Sequence, residues 1–117
     1  MLIAHITDLH IGMGSNSAVN VERLEQVIER VQAAMPDVVL VTGDLIEGGD
    51  AAAYDRLKVR MSPLTAPVLY AIGNHDEREA FRTAFIDTPT HGGFVQYASE
   101  FDDRRIIVLD TVEAGQH

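Results

Sequence analysis

The chain has 117 residues, 46% of them apolar, enough to bury the core of one domain and too many for a disordered chain. It contains no cysteine, which excludes disulfides, thiolate metal sites and thiol nucleophiles. Eighteen acidic residues against nine basic ones leave a net charge of −9, a poor basis for holding nucleic acid or an anionic membrane by charge alone.

With that charge, a phosphate substrate would need local attraction, and bound divalent cations would supply it while offsetting several carboxylates. No apolar run approaches the roughly 18 residues of a membrane span. Met1 to Ile6 lacks the basic start and long apolar region of a secretory signal. The expectation is a cytoplasmic protein.

Leu2 to Thr7 reads as a first strand, with Asp8 to Ser17 as the loop at its end. Val19, Leu24, Val27, Ile28, Val31 and Met35 then recur at helical spacing, as in an amphipathic helix packed on a sheet. Ser17 or Asn20 could cap its start, and Pro36 ends it. Val38 to Val41 is uniformly apolar, as a parallel strand covered on both faces should be. Gly43 to Gly49 is a turn, with Asp50 as a cap for a second helix over Ala51 to Met61. That helix should turn Tyr54, Leu57 and Met61 inward.

Pro63 and Pro67 frame a linker to a third strand over Ala66 to Ile72, and Glu77 to Ile86 forms a short helix. Phe94 to Phe101 alternates loosely, Asp102-Asp103 marks a turn, and Ile106 to Leu109 is apolar again. The order β-α-β-α-β-(α)-β-β predicts an α/β fold that opens with a parallel βαβαβ unit and closes with a hairpin.

Each of the first three strands runs into ligand chemistry. After the first come Asp8 and His10, two apart, so that in extended backbone they point the same way and could share a metal ion. After the second comes Gly43-Asp44, where glycine permits a sharp turn and a carboxylate can bridge two cations. After the third comes Gly73-Asn74-His75-Asp76. There an amide oxygen suits a hard cation, and an adjacent imidazole can donate a proton or bind phosphate. Asp76 could fix the tautomer of that imidazole. Singly, each turn reads better as an ordinary polar loop or helix cap. Parallel strands in βαβαβ order place their carboxyl ends at one pole, the usual place for sites in such sheets, so the conjunction favours a site.

In order and spacing these three blocks resemble the first signature blocks of the calcineurin-like metallophosphoesterase superfamily. Ala4 to His10 and Gly73 to Arg78 look most like the bacterial class III cyclic-nucleotide phosphodiesterases and the glycerophosphodiester phosphodiesterases. The resemblance implies a four-layer α/β/β/α sandwich of which residues 1–117 are one partial domain, its amino-terminal half. It implies a dinuclear centre of two metal ions, with Fe, Mn, Zn or Co all compatible with oxygen and imidazole ligands. Asp8 and His10 would bind the first metal, Asp44 would bridge both, and Asn74 would bind the second. His75 would contact the phosphate and protonate the leaving group, and Asp76 would assist it. Arg78 could position Asp76 or the substrate, or lie on a solvated helix face.

The implied activity is hydrolysis of a small-molecule phosphodiester. The chain departs from the family pattern in lacking the later histidine blocks. Its remaining histidines are His5, placed in the first strand as a core or face residue, His91 in a glycine-flanked loop, and His117. The alternatives are a truncated, catalytically incompetent fragment that self-associates as a homo-oligomer, and a nuclease of the same superfamily, disfavoured by the acidic charge. A protein phosphatase would carry glutamate in place of Asp76, and a non-enzymatic scaffold would not need ligands in all three blocks.

Overall fold

The computed structural model describes residues 1–12, 17–47 and 51–113. Strands β1 (Ile3–Thr7), β3 (Val38–Thr42) and β5 (Val68–Ala71) form a parallel sheet in the order β1-β3-β5. Thr7 stands opposite Thr42, and Thr42 opposite Ala71, so the three strands finish level. Their carboxyl ends therefore lie at one pole, as the βαβαβ order predicts.

Helix α1 (Ser17–Ala34) joins β1 to β3, and α2 (Ala51–Met61) joins β3 to β5. Ile6, Val39, Val41, Tyr70 and Ile72 from the sheet share one core with Leu24 and Ile28 of α1 and Ala53, Tyr54, Leu57 and Met61 of α2. Phe81 and Phe85, on and just after α3 (Arg78–Ala84), complete it, their rings stacked at 4.8 Å between centroids. On the other face of β1, Ile3, His5 and Thr7 are exposed. The inward stripe of α1 is narrower than its apolar spacing predicts. Val19 and Val27 are exposed, and Met35 lies beyond the helix, 81% exposed with φ +50. Ser17 is the first helical residue, and the Asn20 amide is used elsewhere rather than as a cap. Asp50 and His117 lie outside the described residues.

Two short strands stand where loop and turn are expected. β2 (Ile11–Gly12) pairs in parallel with β4 (Ile46–Glu47). A lone isoleucine in each turn, fully buried, drives this pairing, and two residues are too few to register as a period. The closing hairpin is β6 (Tyr97–Phe101) against β7 (Arg104–Val108), with Asp102 in the turn at φ +54. The predicted outer strands are each shifted or trimmed by two or three residues. Tyr97 fastens the hairpin to the sheet by donating its hydroxyl to the Tyr70 carbonyl at 2.7 Å.

Two buried carboxylates hold the segments that follow β5. Asp76 is 3% exposed. One of its oxygens accepts from Gly73 N at 2.7 Å and Leu45 N at 3.1 Å, the other from Ile46 N and the Tyr54 hydroxyl, both at 3.1 Å. Burial pushes its carboxyl up from the ordinary range, and these donors pull against that shift. The same environment, with Asp76 beside it, raises the Tyr54 phenol far above its usual value, so Tyr54 remains a donor. Asp110 receives both arms of Arg78, at 2.7 and 2.8 Å, and also accepts from Val95 N and Val112 N. Arg78 further donates to the Val112 carbonyl and lies over the Phe94 ring at 4.8 Å. Arg78 is thus the clasp between α3 and the hairpin, and its recorded partners are not Asp76.

Asp76→Ala should cost about 3 kcal/mol because it strands buried donors, against about 1–2 kcal/mol for Tyr54→Phe, which removes its bond to Asp76 and the acceptor of Glu77 N. Urea denaturation checks the ranking, and equal losses would show that the carboxylate does not organise the turn. Burial raises the Asp110 carboxyl, but Arg78 and the two amides outweigh it and hold it below the usual range. Its stabilising contribution should therefore be present above the unfolded carboxyl value, about pH 4, and be lost as pH falls through the lower folded value. Acid denaturation of wild type against Asp110→Asn measures this, the variant being expected to lack that part of the acid limb.

Candidate metal centre

The three strand-end turns converge through a parallel ladder that continues past the sheet. Asp8 N donates to Gly43 O at 3.2 Å, His10 N to Asp44 O at 3.0 Å, Ile11 N to Leu45 O at 3.0 Å, and Gly43 N to Ala71 O at 2.7 Å. Asp8, His10 and Asp44 adopt left-handed backbone, with φ of +57, +48 and +52. Such geometry costs a non-glycine residue about 1–2 kcal/mol, least for short polar side chains that can bond locally. The ladder holds these residues in it. The result is that ligand atoms of Asp8, His10 and Asp44 all lie within 4.8 Å of one another.

The chemistry of this donor set fits a cation. His10 Nδ1 lies 2.6 Å from Glu47 Oε2. A carboxylate can only accept, so Nδ1 carries a proton, and in the neutral imidazole Nε2 presents its lone pair. That Nε2 faces Asp8 Oδ1 at 3.7 Å, an acceptor opposite an acceptor, with Asp44 alongside. Two carboxylates and one imidazole nitrogen form a mixed oxygen and nitrogen set suited to a divalent transition ion.

Asp44 is held from the third turn as well. Its Oδ1 accepts from His75 N at 3.1 Å. Gly73 is required here, because a Cβ at that position would lie 2.4 Å from Asp44 N and 2.6 Å from its Oδ1. Asn74 is exposed in the same turn, one residue beyond this contact. His75 stands beside His10, ring centroids 5.6 Å apart and nearly perpendicular.

The structure gives Asp76 a different duty from the one expected of it. Both of its oxygens are occupied by backbone amides and Tyr54, and it is Glu47 Oε1 that lies 3.5 Å from His75 Nδ1. One Glu47 carboxylate therefore serves both imidazoles. The sequence reading missed Glu47, which nothing in the sequence separates from any other turn carboxylate. It missed Asn20 too, whose side-chain amide donates to the His10 carbonyl at 3.0 Å and pins the left-handed residue from α1. Gly12 makes room for Glu47, since a Cβ there would meet the Glu47 carbonyl at 2.7 Å. His5 and His91 are not in the cluster. His5 contacts the Thr42 hydroxyl on the sheet face, and His91 is bridged to Phe94.

Comparison with known proteins gives the family. The chain is 42% identical over 94 residues to a probable cyclic nucleotide phosphodiesterase of Rhodopseudomonas palustris, covering 78% of this chain and 34% of that protein. It is 32% identical over 126 residues to a cAMP/cGMP dual specificity phosphodiesterase of Mycobacterium tuberculosis, covering 99% and 40%. It is 30% identical over 125 residues to a 3',5'-cyclic adenosine monophosphate phosphodiesterase of Pseudomonas aeruginosa, covering 98% and 43%. The chain thus spans less than half the length of these relatives. In fold it is similar to the crystal structure of a dimetal phosphatase from Danio rerio, with a TM-score of 0.72 at 16% identity over 94% of this chain and 44% of that one. The calcineurin-like phosphoesterase family matches residues 1–113, a span that contains all three converging turns, and the chain belongs to that family.

Proposed function

We propose that this chain carries the metal-binding turns of a metal-dependent phosphoric ester hydrolase, a phosphodiesterase acting on cyclic nucleotides or glycerophosphodiesters. The observation that carries the reading is the meeting of Asp8 Oδ1, the His10 Nε2 lone pair and Asp44 at the carboxyl pole of a parallel sheet. Divalent ions, when bound, would neutralise charge on the phosphoryl group and lower the pKa of water. Asp8 and His10 would hold one ion, Asp44 would be shared, and the Asn74 amide oxygen would serve a second. Glu47 keeps the proton of His10 on Nδ1 so that Nε2 can ligate. Its Oε1 lies 3.5 Å from His75 Nδ1, and an imidazole placed there would be suited to pass a proton to the leaving alkoxide. Which of Fe, Mn, Zn or Co is used is set by availability as much as by these ligands.

A second reading concerns residues 1–117 by themselves. Among the described residues, Asp44 and Asn74 are the ligands proposed for a second ion, a sparse set, and the relatives are more than twice as long. The chain would then be one partial domain that binds metal weakly and is catalytically incompetent by itself. The outer edge of β1 has no partner strand among the described residues, and Leu2 and Ile3 beside it are 51% and 44% exposed. This supports self-association into a homo-oligomer. No helix among the described residues is long and apolar enough to cross a membrane. A cytoplasmic location is part of the proposal, supported by the absence of cysteine.

Titration calorimetry with Mn²⁺ should show binding to the 117-residue chain that falls at least tenfold in Asp44→Asn, since one oxygen ligand becomes neutral. Equal binding by both proteins would overturn the metal reading. Turnover of a chromogenic phosphodiester with added Mn²⁺ separates the two readings, ordinary turnover by the chain alone defeating the second. Gly73→Ala should lower both Mn²⁺ affinity and the thermal midpoint, because its methyl displaces Asp44. A variant that binds metal normally would show that the close packing of the first and third turns on Asp44 is dispensable.

A further inference from the structure

Asp8 poses a physical problem. Its side chain is 59% exposed and springs from left-handed backbone, so in water it would sample several rotamers, most of them useless for ligation. Its neighbour resolves this. The Thr7 hydroxyl lies 2.7 Å from Asp8 Oδ2 and 2.6 Å from the Thr42 carbonyl, its proton shared between the two acceptors. Thr7 is β-branched and sits in β1 directly opposite Thr42 in β3, so its own torsion is confined by the sheet. The two Asp8 oxygens are thereby distinguished: Oδ2 is occupied by Thr7, and Oδ1 is turned to His10 Nε2.

We propose that Thr7 is a positioning residue for the metal centre. By fixing Asp8 Oδ2 it presents Oδ1 as a single, pre-oriented ligand atom and ties the carboxylate to the strand end that carries Asp44. The inference rests on the metal reading above and adds a residue outside the ligand set. The underlying physics is preorganisation: the rotamer freedom of Asp8 is removed when the sheet forms, so it is not lost again when a cation binds. The neighbouring contact on the same rung has a different reach. The Thr42 hydroxyl bonds His5 Nε2 at 2.7 Å, on a residue two positions before Thr7 in β1, so its loss should leave Asp8 in place.

The test measures Mn²⁺ affinity of the 117-residue chain by calorimetry, with the metal-free denaturation midpoint recorded for each variant. Thr7→Val keeps the shape and removes the hydroxyl, and should bind Mn²⁺ about 10- to 100-fold more weakly, the range for losing a partner of a metal ligand. Thr7→Ser should bind within about threefold of wild type, because it restores the donor. Thr42→Val should do the same. Wild-type affinity in Thr7→Val would overturn the proposal. So would a loss in Thr7→Ser as large as in Thr7→Val, which would assign the effect to the methyl group. An equal loss in Thr42→Val would also overturn it, by pointing to a general loosening of the strand ends. If Thr7→Val does not fold, Thr7→Ala is judged by the same criteria. Absence of Mn²⁺ binding by wild type would instead refute the metal reading on which the proposal stands.

Discussion

A carboxylate with almost no access to water organises this molecule. Asp76 belongs to the turn after β5, yet three of its four donors come from elsewhere, Leu45 and Ile46 beyond β3 and Tyr54 on α2, while the fourth, Gly73, opens its own turn. Each backbone N–H it satisfies would otherwise be orphaned in the core, at a cost of about 1–3 kcal/mol apiece. Placing one acceptor among these donors fixes the third turn against the second. The close approach of Gly73 to Asp44 and the amide of His75 on Asp44 Oδ1 follow from that docking. The residue expected to act beside the imidazole instead builds the floor on which the imidazole stands.

The residues of the candidate metal centre show how a fold can hold unfavourable backbone at one place. Asp8, His10 and Asp44 account for three of the five described non-glycine residues with positive φ. The amides of Asp8 and His10 and the carbonyl of Asp44 are nevertheless engaged in the ladder between the first and second turns. Further support arrives from side chains: Asn20 on the His10 carbonyl, Glu47 on the His10 ring, and Thr7 on Asp8. Strain of this kind persists only where surrounding contacts over-determine it, and it is concentrated here at one pole.

The charge of the chain and the chemistry of the site fit together. A net charge of −9 repels an anionic phosphodiester, and Asp8, Asp44 and Glu47 crowd negative charge at the very pole where the substrate would bind. Divalent cations reverse the local sign there without changing the rest of the surface. Arg78, the cation nearest in sequence to the His75 turn, is committed to Asp110 and the Val112 carbonyl, so it braces the hairpin and supplies no charge to a ligand.

The alternation of long apolar strands with helical stripes determined the βαβαβ order, and with it the pole at which Asp8, His10, Asp44 and the Asn74-His75 pair collect. Those features are local: period, length and the turn residues between them are written in consecutive positions. The short β2–β4 pair, the exposure of Val19 and Val27, and the exit of Met35 from its helix were decided by packing between segments distant in the chain. So were the duties of individual polar groups. Asp76 beside His75, and Arg78 two residues further, are neighbours of the site in sequence, but apart from Gly73 their hydrogen-bond partners lie 22 to 34 positions away. Glu47 carries no sequence mark that separates it from any other turn carboxylate, and becomes the partner of two imidazoles only when the first and third turns close around it. A sequence states which groups can donate and accept. Which donor meets which acceptor is a question of distance, and only the folded chain sets that.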